Sequence, residues 1–334
     1  MRKDFVFTII NIRKTNMSIK KLDKQAFKSF VNELIATDQT VVAPTAKADK
    51  FAFAPIDSAD DMRLDYDVTL LPPKKYLLPQ VETLMTYQVG GEYASEISQE
   101  KTVLLGVHPY DMVAINQMDE IFSQDETDIH YMTRRENTTI IACDVVTPSK
   151  NVFASTMGTA TIKKGYDILI TDIGDAWIVE LATPKGAALM ENVTAGDASD
   201  DDLAKRQAVW DKNNTGLNKH ELNCAPADLP AILDNAYDHP VWEEKAKTCY
   251  SCGSCTLTCP TCYCFDVQDD VEWDLANGKR TRAWDGCLLE QFANVAGDHN
   301  FRKAREDRFR HRIYRKGKYV PAKIGGQIAC VGCG

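Results

Sequence analysis

Cys249, Cys252, Cys255 and Cys259, followed by Pro260, form a C-x2-C-x2-C-x3-C-P run. This is the spacing with which bacterial ferredoxins wrap a [4Fe–4S] cube. Three thiolates on one tight loop reach three different corner irons, and Gly253 lets the backbone bend between them. The fourth cysteine of such a run points away from the first cube and ligates the other one in two-cluster ferredoxins. The spacing therefore predicts a partner loop. Cys330-Val331-Gly332-Cys333-Gly334 supplies a C-x2-C half of it. The chemistry expected of such a set is electron transfer through two clusters. A structural zinc site is the competing reading, but its paired cysteines stand about 15–20 residues apart, whereas 249/252 and 330/333 are much farther apart.

Three more cysteines lie between the two loops, Cys262 and Cys264 just after the first and Cys287 in Arg282-Ala-Trp-Asp-Gly-Cys287. Each is read either as a buried apolar residue or as a further ligand, because three thiols beside two cluster loops invite ligation or a redox role. Of the 11 cysteines in this chain of 334 residues, only Cys143 and Cys224 precede position 249. A cysteine-rich cofactor domain thus follows an ordinary one. An odd count in ligand spacings argues against a disulfide framework and for a reducing compartment. The net charge of −9 opposes a general nucleic-acid role. No window reaches the roughly 20 consecutive apolar residues of a membrane helix, so no membrane span is expected. The stretch Phe5 to Ile12 faintly resembles a leader, yet Met17 followed by Ser-Ile-Lys-Lys reads as the native start.

The elements that must position these cysteines follow from periodicity. Residues 18–37 have helical spacing. Val41 to Pro44, Phe51 to Ile56, Thr102 to Val107, Thr138 to Cys143, Ile168 to Thr171 and Trp177 to Leu181 read as strands. Met112 to Ile121 and Leu203 to Asn213 read as helices, the latter after an acidic loop at 196–202. The Leu71-Pro-Pro-Lys-Lys75 segment cannot be helix interior and is expected to be an ordered loop. This alternation predicts an α/β domain over 1–240, with an α+β ferredoxin-like domain over 241–334. No glycine-rich nucleotide loop is present. His108 and Asp111, after the strand 102–107, offer a flavin or substrate site as an alternative reading, and a zinc-stabilised interaction protein is another. Between the cluster loops, Arg302 to Lys318 is strongly basic. Arg302 and Arg308 are expected to brace the cluster domain, while Arg315, Lys316 and Lys318 are expected to face a partner.

Pro240-Val-Trp242, the 249–266 stretch, Val267 to Asp269, Arg282 to Cys287, Gly297 to Arg302, Asp307 to Arg310 and Cys330 to Gly334, and more weakly Leu71 to Lys75, Gly106 to Asp111 and Met157 to Thr159 in the first domain, resemble the iron–sulfur β subunit of cytoplasmic sulfhydrogenase. The iron–sulfur subunit of anaerobic sulfite reductase is similar. The resemblance implies a cytoplasmic relay protein that passes electrons between a partner binding flavin and NAD(P)H and a separate catalytic subunit. The family carries cysteines where this chain has Tyr110, Val152 and Ala154, so a further cluster in the first domain is expected to be absent. The family's final loop also continues to another cysteine and a C-P, so the chain is read as truncated inside its second cluster loop.

Overall fold

The computed structural model describes residues 18–334. The reading of the first 16 residues lies outside them. The chain opens on β1 (Ser18–Asp23) and α1 (Lys24–Ile35), then β2 (Thr40–Lys47), β3 (Lys50–Pro55), β4 (Val81–Gln88), β5 (Tyr93–Ser95) and β6 (Thr102–Val107). Next come α2 (Pro109–Ser123), α3 (Ile129–Asn137), β7 (Thr138–Cys143), β8 (Ile168–Asp172) and β9 (Ala176–Leu181). Helix α4 (Pro184–Leu189), β10 (Gly196–Asp197) and α5 (Asp200–Gly216) complete the first part. An eight-stranded sheet runs in the order β10-β1-β9-β8-β7-β6-β2-β3. Its four central strands, β8, β7, β6 and β2, pair in parallel and its flanks are antiparallel. All six residues of β7 are buried, as a strand covered on both faces requires. Val103 and Leu105 of β6 face α1, and Leu104 and Val107 face α2.

Residues 18–37 are not one helix. Ser18 to Asp23 pairs antiparallel with β9, and Asp23 then caps α1, its carboxylate accepting from the amides of Gln25 and Ala26. Leu22 packs into the same core as Phe27 and Phe30, so burial through strand pairing outweighs the helical spacing. The Leu71 to Lys75 segment contains a single 3-10 turn, Pro73–Tyr76, with proline at its first position.

The C-terminal part holds α6 (Leu229–Asp234), α7 (Val241–Ala246), α8 (Ser254–Leu257), β11 (Phe265–Val271), β12 (Asn277–Trp284) and α9 (Arg305–Tyr314). The β11–β12 hairpin does not stand alone. Strand β12 pairs with β4, giving a four-stranded antiparallel sheet β11-β12-β4-β5 across the division expected at 240. Arg282 of β12 is buried and bridges to Glu82 of β4 at 2.6 Å and to Asp128, the cap of α3. Arg134 of α3 binds the other oxygen of Glu82. This ion network welds the four-stranded sheet, whose β11–β12 hairpin runs between Cys264 and Cys287, to the α/β body. It joins positions 82, 128, 134 and 282, far apart in the chain.

Candidate metal centre

Cys249 and Cys252 occupy a tight loop ahead of α8, and Cys255 lies in that helix's single turn. Ser251 and Gly253 both have left-handed backbones, with φ of 52° and 73°. A Cβ at Gly253 would come within 2.9 Å of Leu289, so glycine is needed there. The Ser251 amide donates to the Cys249 sulfur at 3.4 Å, while Cys252 and Cys255 are exposed. Helix α9 clamps the loop from outside. Arg308, 4 % exposed, donates to the carbonyls of Leu288, Arg302 and Lys303 and to the Ser251 hydroxyl. Arg312 donates to the Cys255 carbonyl at 2.9 Å.

Cys259 and Cys262 close the next turn, the amide of Cys262 donating to the carbonyl of Cys259. Thr261 inside the turn donates to the Ala329 carbonyl at 2.6 Å, which brings the terminal cysteine loop alongside. That loop is pinned to the α/β body. The Phe153 amide donates to Gly332 at 2.9 Å, Thr159 to Val331 at 2.6 Å and Ser149 to Cys333 at 3.2 Å. The result is a cavity of about 460 Å³ bordered by Cys255, Cys259, Cys330 and Cys333, with Asp111, Arg312 and Lys316 on its wall. Cysteines on either side of such a space, with cations beside them, fit an anionic thiolate-ligated cube.

The electrostatics point the same way. A hydrogen bond with Cys262, with Lys316, Thr261 and Arg312, holds the Cys259 thiol well below its usual range despite burial. Burial pushes Cys330 up and Cys333 well above the ordinary value, the latter helped by Asp111 and the neighbouring cysteines. Iron ligands must be deprotonated, so loading this site would release protons and create buried negative charge. Lys74 is 2 % exposed and donates to the carbonyls of Cys259 and Cys262. Burial pulls its ammonium down to about 8, against the raising influence of Cys262 and Cys259. Burial likewise drives Asp111 up to about 7, Cys259 adding to the effect.

The basic segment is divided differently from the expectation. Arg308 braces the cluster loop as expected, but Arg315 and Lys316 do not face outward. Lys316 bonds the Thr261 hydroxyl, and the Arg315 guanidinium lies over Tyr263 at 4.9 Å. Lys318 pairs with Asp234 of α6. The cause is the π-helical turn Arg315–Tyr319, which follows α9 and turns residues 315 and 316 toward the cysteines.

Cys262, Cys264 and Cys287 border a second, small cavity of about 10 Å³ under Arg312, Arg315 and Lys316, near the room that one water needs. Cys287 is 3 % exposed, and its thiol is pushed up to about 11 by burial. Among the described residues, no three His, Cys, Asp or Glu side chains stand close enough to clasp one ion. A cube takes its thiolates at separate corners, so its ligands are spread more widely than those of a single ion. His108 is fully buried, stacked on Tyr66 at 3.9 Å and 2.6 Å from the Tyr110 hydroxyl. It does not line the cavity, whereas Asp111 reaches its wall. Tyr110, Val152 and Ala154 belong to one apolar core with Val331.

Sequence reasoning missed Lys74. Its one signal was the Pro72-Pro73 pair, which forces the 3-10 turn that aims it. No helix among the described residues is long and apolar enough to cross a membrane. The profile of the 4Fe-4S dicluster domain matches residues 248–334. Sulfhydrogenase 2 subunit beta of Pyrococcus furiosus is 33% identical over 321 residues, covering 95% of this chain and 93% of that protein. No solved structure matches. The dicluster profile and a near full-length relative agree, and the chain belongs to the sulfhydrogenase β-subunit family, iron–sulfur electron-transfer subunits with a 4Fe-4S dicluster domain at the C-terminal end.

Proposed function

We propose that this chain is a cytoplasmic electron relay holding two [4Fe–4S] clusters. It works between a partner that binds flavin and NAD(P)H and a catalytic subunit of the sulfhydrogenase or anaerobic sulfite reductase type. Cys249, Cys252 and Cys255 are the thiolates of one cube, and Cys259 joins Cys330 and Cys333 at the other. When bound, such cubes supply one-electron carriers with potentials set by charge, hydrogen bonding and exposure. The chain's own part is to hold the thiolates apart, exclude water from Cys259 and Cys333, and balance charge with Lys74, Arg312 and Lys316. The observation that carries this reading is the cavity in which Cys255, Cys259, Cys330 and Cys333 meet the half-buried Arg312 and Lys316, neither of which has a carboxylate among its hydrogen-bond partners. The division into residues 1–240 and 241–334 belongs to the same proposal, with β4 and β5 lent to the second part's sheet.

Anaerobic purification with iron and acid-labile sulfide analysis tests it. About four of each per cluster are expected, with Cys249→Ser and Cys259→Ser each lowering the content. Stoichiometric zinc without sulfide would refute the reading. Pull-down of the tagged chain from its own host should bring a flavoprotein and either a nickel–iron or a siroheme protein, and the metal identifies which.

A further inference from the structure

Lys74 and Lys316 enter the cysteine turn from opposite parts of the chain. Lys74 comes from the 3-10 turn Pro73–Tyr76 and Lys316 from the π-helical turn after α9. Both stop at the turn from Cys259 to Cys262. The Lys74 ammonium donates to the carbonyls of Cys259, at 2.8 Å, and Cys262, and lies 4.4 Å from the centroid of the Trp284 ring. The Lys316 ammonium donates to the hydroxyl of Thr261. Neither partner set contains a carboxylate. Lys74 is buried and Lys316 half-buried, and withdrawing an ammonium from water without a counter-charge is strongly unfavourable, so two of them flanking one turn favour a compensating anion. The Cys259 thiolate is one negative charge, and a cluster bound through it would bring more. The same turn carries the Cys259 to Cys262 hydrogen bond and places Thr261 Oγ1 3.4 Å from the Cys259 sulfur.

We propose that Lys74 and Lys316 are a pair of positioning residues that set the reduction potential of the cluster served by Cys259, holding it higher than the thiolates alone would. The inference rests on the electron-relay reading above. Reduction adds one negative charge to the cluster. Fixed positive charge in a dry site favours that state, and the low dielectric makes each ammonium count for more than it would at the surface. Neither residue touches the reacting irons through a ligand bond. They act through the backbone and hydroxyl groups of the turn, which hold the charges at fixed positions.

The test uses the full chain, purified anaerobically, with iron and sulfide counted first. Redox titration followed by electron paramagnetic resonance then gives the midpoint of each cluster. In Lys74→Met and Lys316→Met, iron and sulfide should stay at the wild-type level. One midpoint should fall so that reduction is at least about tenfold less favourable, about 59 mV for a one-electron step. The other midpoint should move much less. Lys74→Arg, which keeps the charge, should return toward the wild-type value. Unchanged midpoints in both methionine variants at full iron content would overturn the proposal and leave the lysines a packing role. Loss of iron from both methionine variants, with the arginine variant also depleted, would overturn it too, by making the side chains requirements for assembly. Wild-type protein without iron or sulfide would instead sink the relay reading itself, so the two failures are told apart by the first measurement.

Discussion

Glu82→Leu should unfold this protein far more readily than its position on a strand suggests. Glu82 and Arg282 are 5 % and 2 % exposed at the side chain, 2.6 Å apart, and Arg134, 12 % exposed, shares the same carboxylate. Removing Glu82 leaves two arginines facing each other at the seam of β4, β12 and α3. Breaking one partner out of a buried pair costs about 3–5 kcal/mol. Asp128 still contacts Arg282 and is itself 18 % exposed, which puts the expected loss near the lower bound. At about 2–4 °C per kcal/mol, the melting temperature should fall by roughly 6–12 °C. The double variant Arg282→Met/Glu82→Leu should recover part of this, because it removes the most deeply buried charge that the single variant strands and leaves only the less buried Arg134 and Asp128 without those partners. Urea unfolding of the anaerobic protein, with single and double variants compared, measures both numbers. A single variant within about 0.5 kcal/mol of wild type, as for a surface pair, or a double variant as costly as its two singles together, would refute the claim that this network welds the four-stranded sheet to α3.

The terminal loop gives a second expectation. Gly332 has φ of 64°, and a Cβ there would lie 2.7 Å from the Phe153 carbonyl carbon. Gly332→Ala should therefore lose about four iron and four sulfide per chain, whereas Gly325→Ala, equally left-handed at φ of 63° but in open space, should keep them. Two buried groups should tilt the stability against pH in opposite directions. Burial lowers His108 from 6.5 to about 3, so its contribution is present above pH 6.5 and is lost as pH falls toward 3. The drop from pH 7 to pH 5 should cost about 2 kcal/mol through this group, and His108→Gln should flatten it. Asp144 is raised from 3.8 to about 6 by burial, against donation from Thr171 and Trp210. Its contribution is full below pH 3.8 and is lost as pH rises through 6, by up to about 3 kcal/mol. Asp144→Asn, which keeps an acceptor for both donors, should remove that slope in urea titrations between pH 4 and 6.

Local chemistry was legible in the sequence because it is local. The C-x2-C-x2-C-x3-C-P run, the glycine that bends it and the strand, loop and helix from Thr102 to Ser123 each depend on residues within one turn or one strand of each other. The pairing of β1 with β9 was not legible, since the short segment Ser18 to Asp23 has helical spacing and meets its partner, Ala176 to Leu181, only after most of the first domain has intervened. Tertiary structure alone decided that β4 lies beside β12, that Arg282 finds Glu82, and that Arg315 and Lys316 turn in toward the thiols. It also decided where Lys74 goes. From Pro-Pro-Lys-Lys one reads an ordered loop, and nothing in it says that Lys74 is buried against Cys259. Residues next to each other in sequence announce their spacing, whereas a buried charge is set by what closes over it, and here the covering groups come from both ends of the chain.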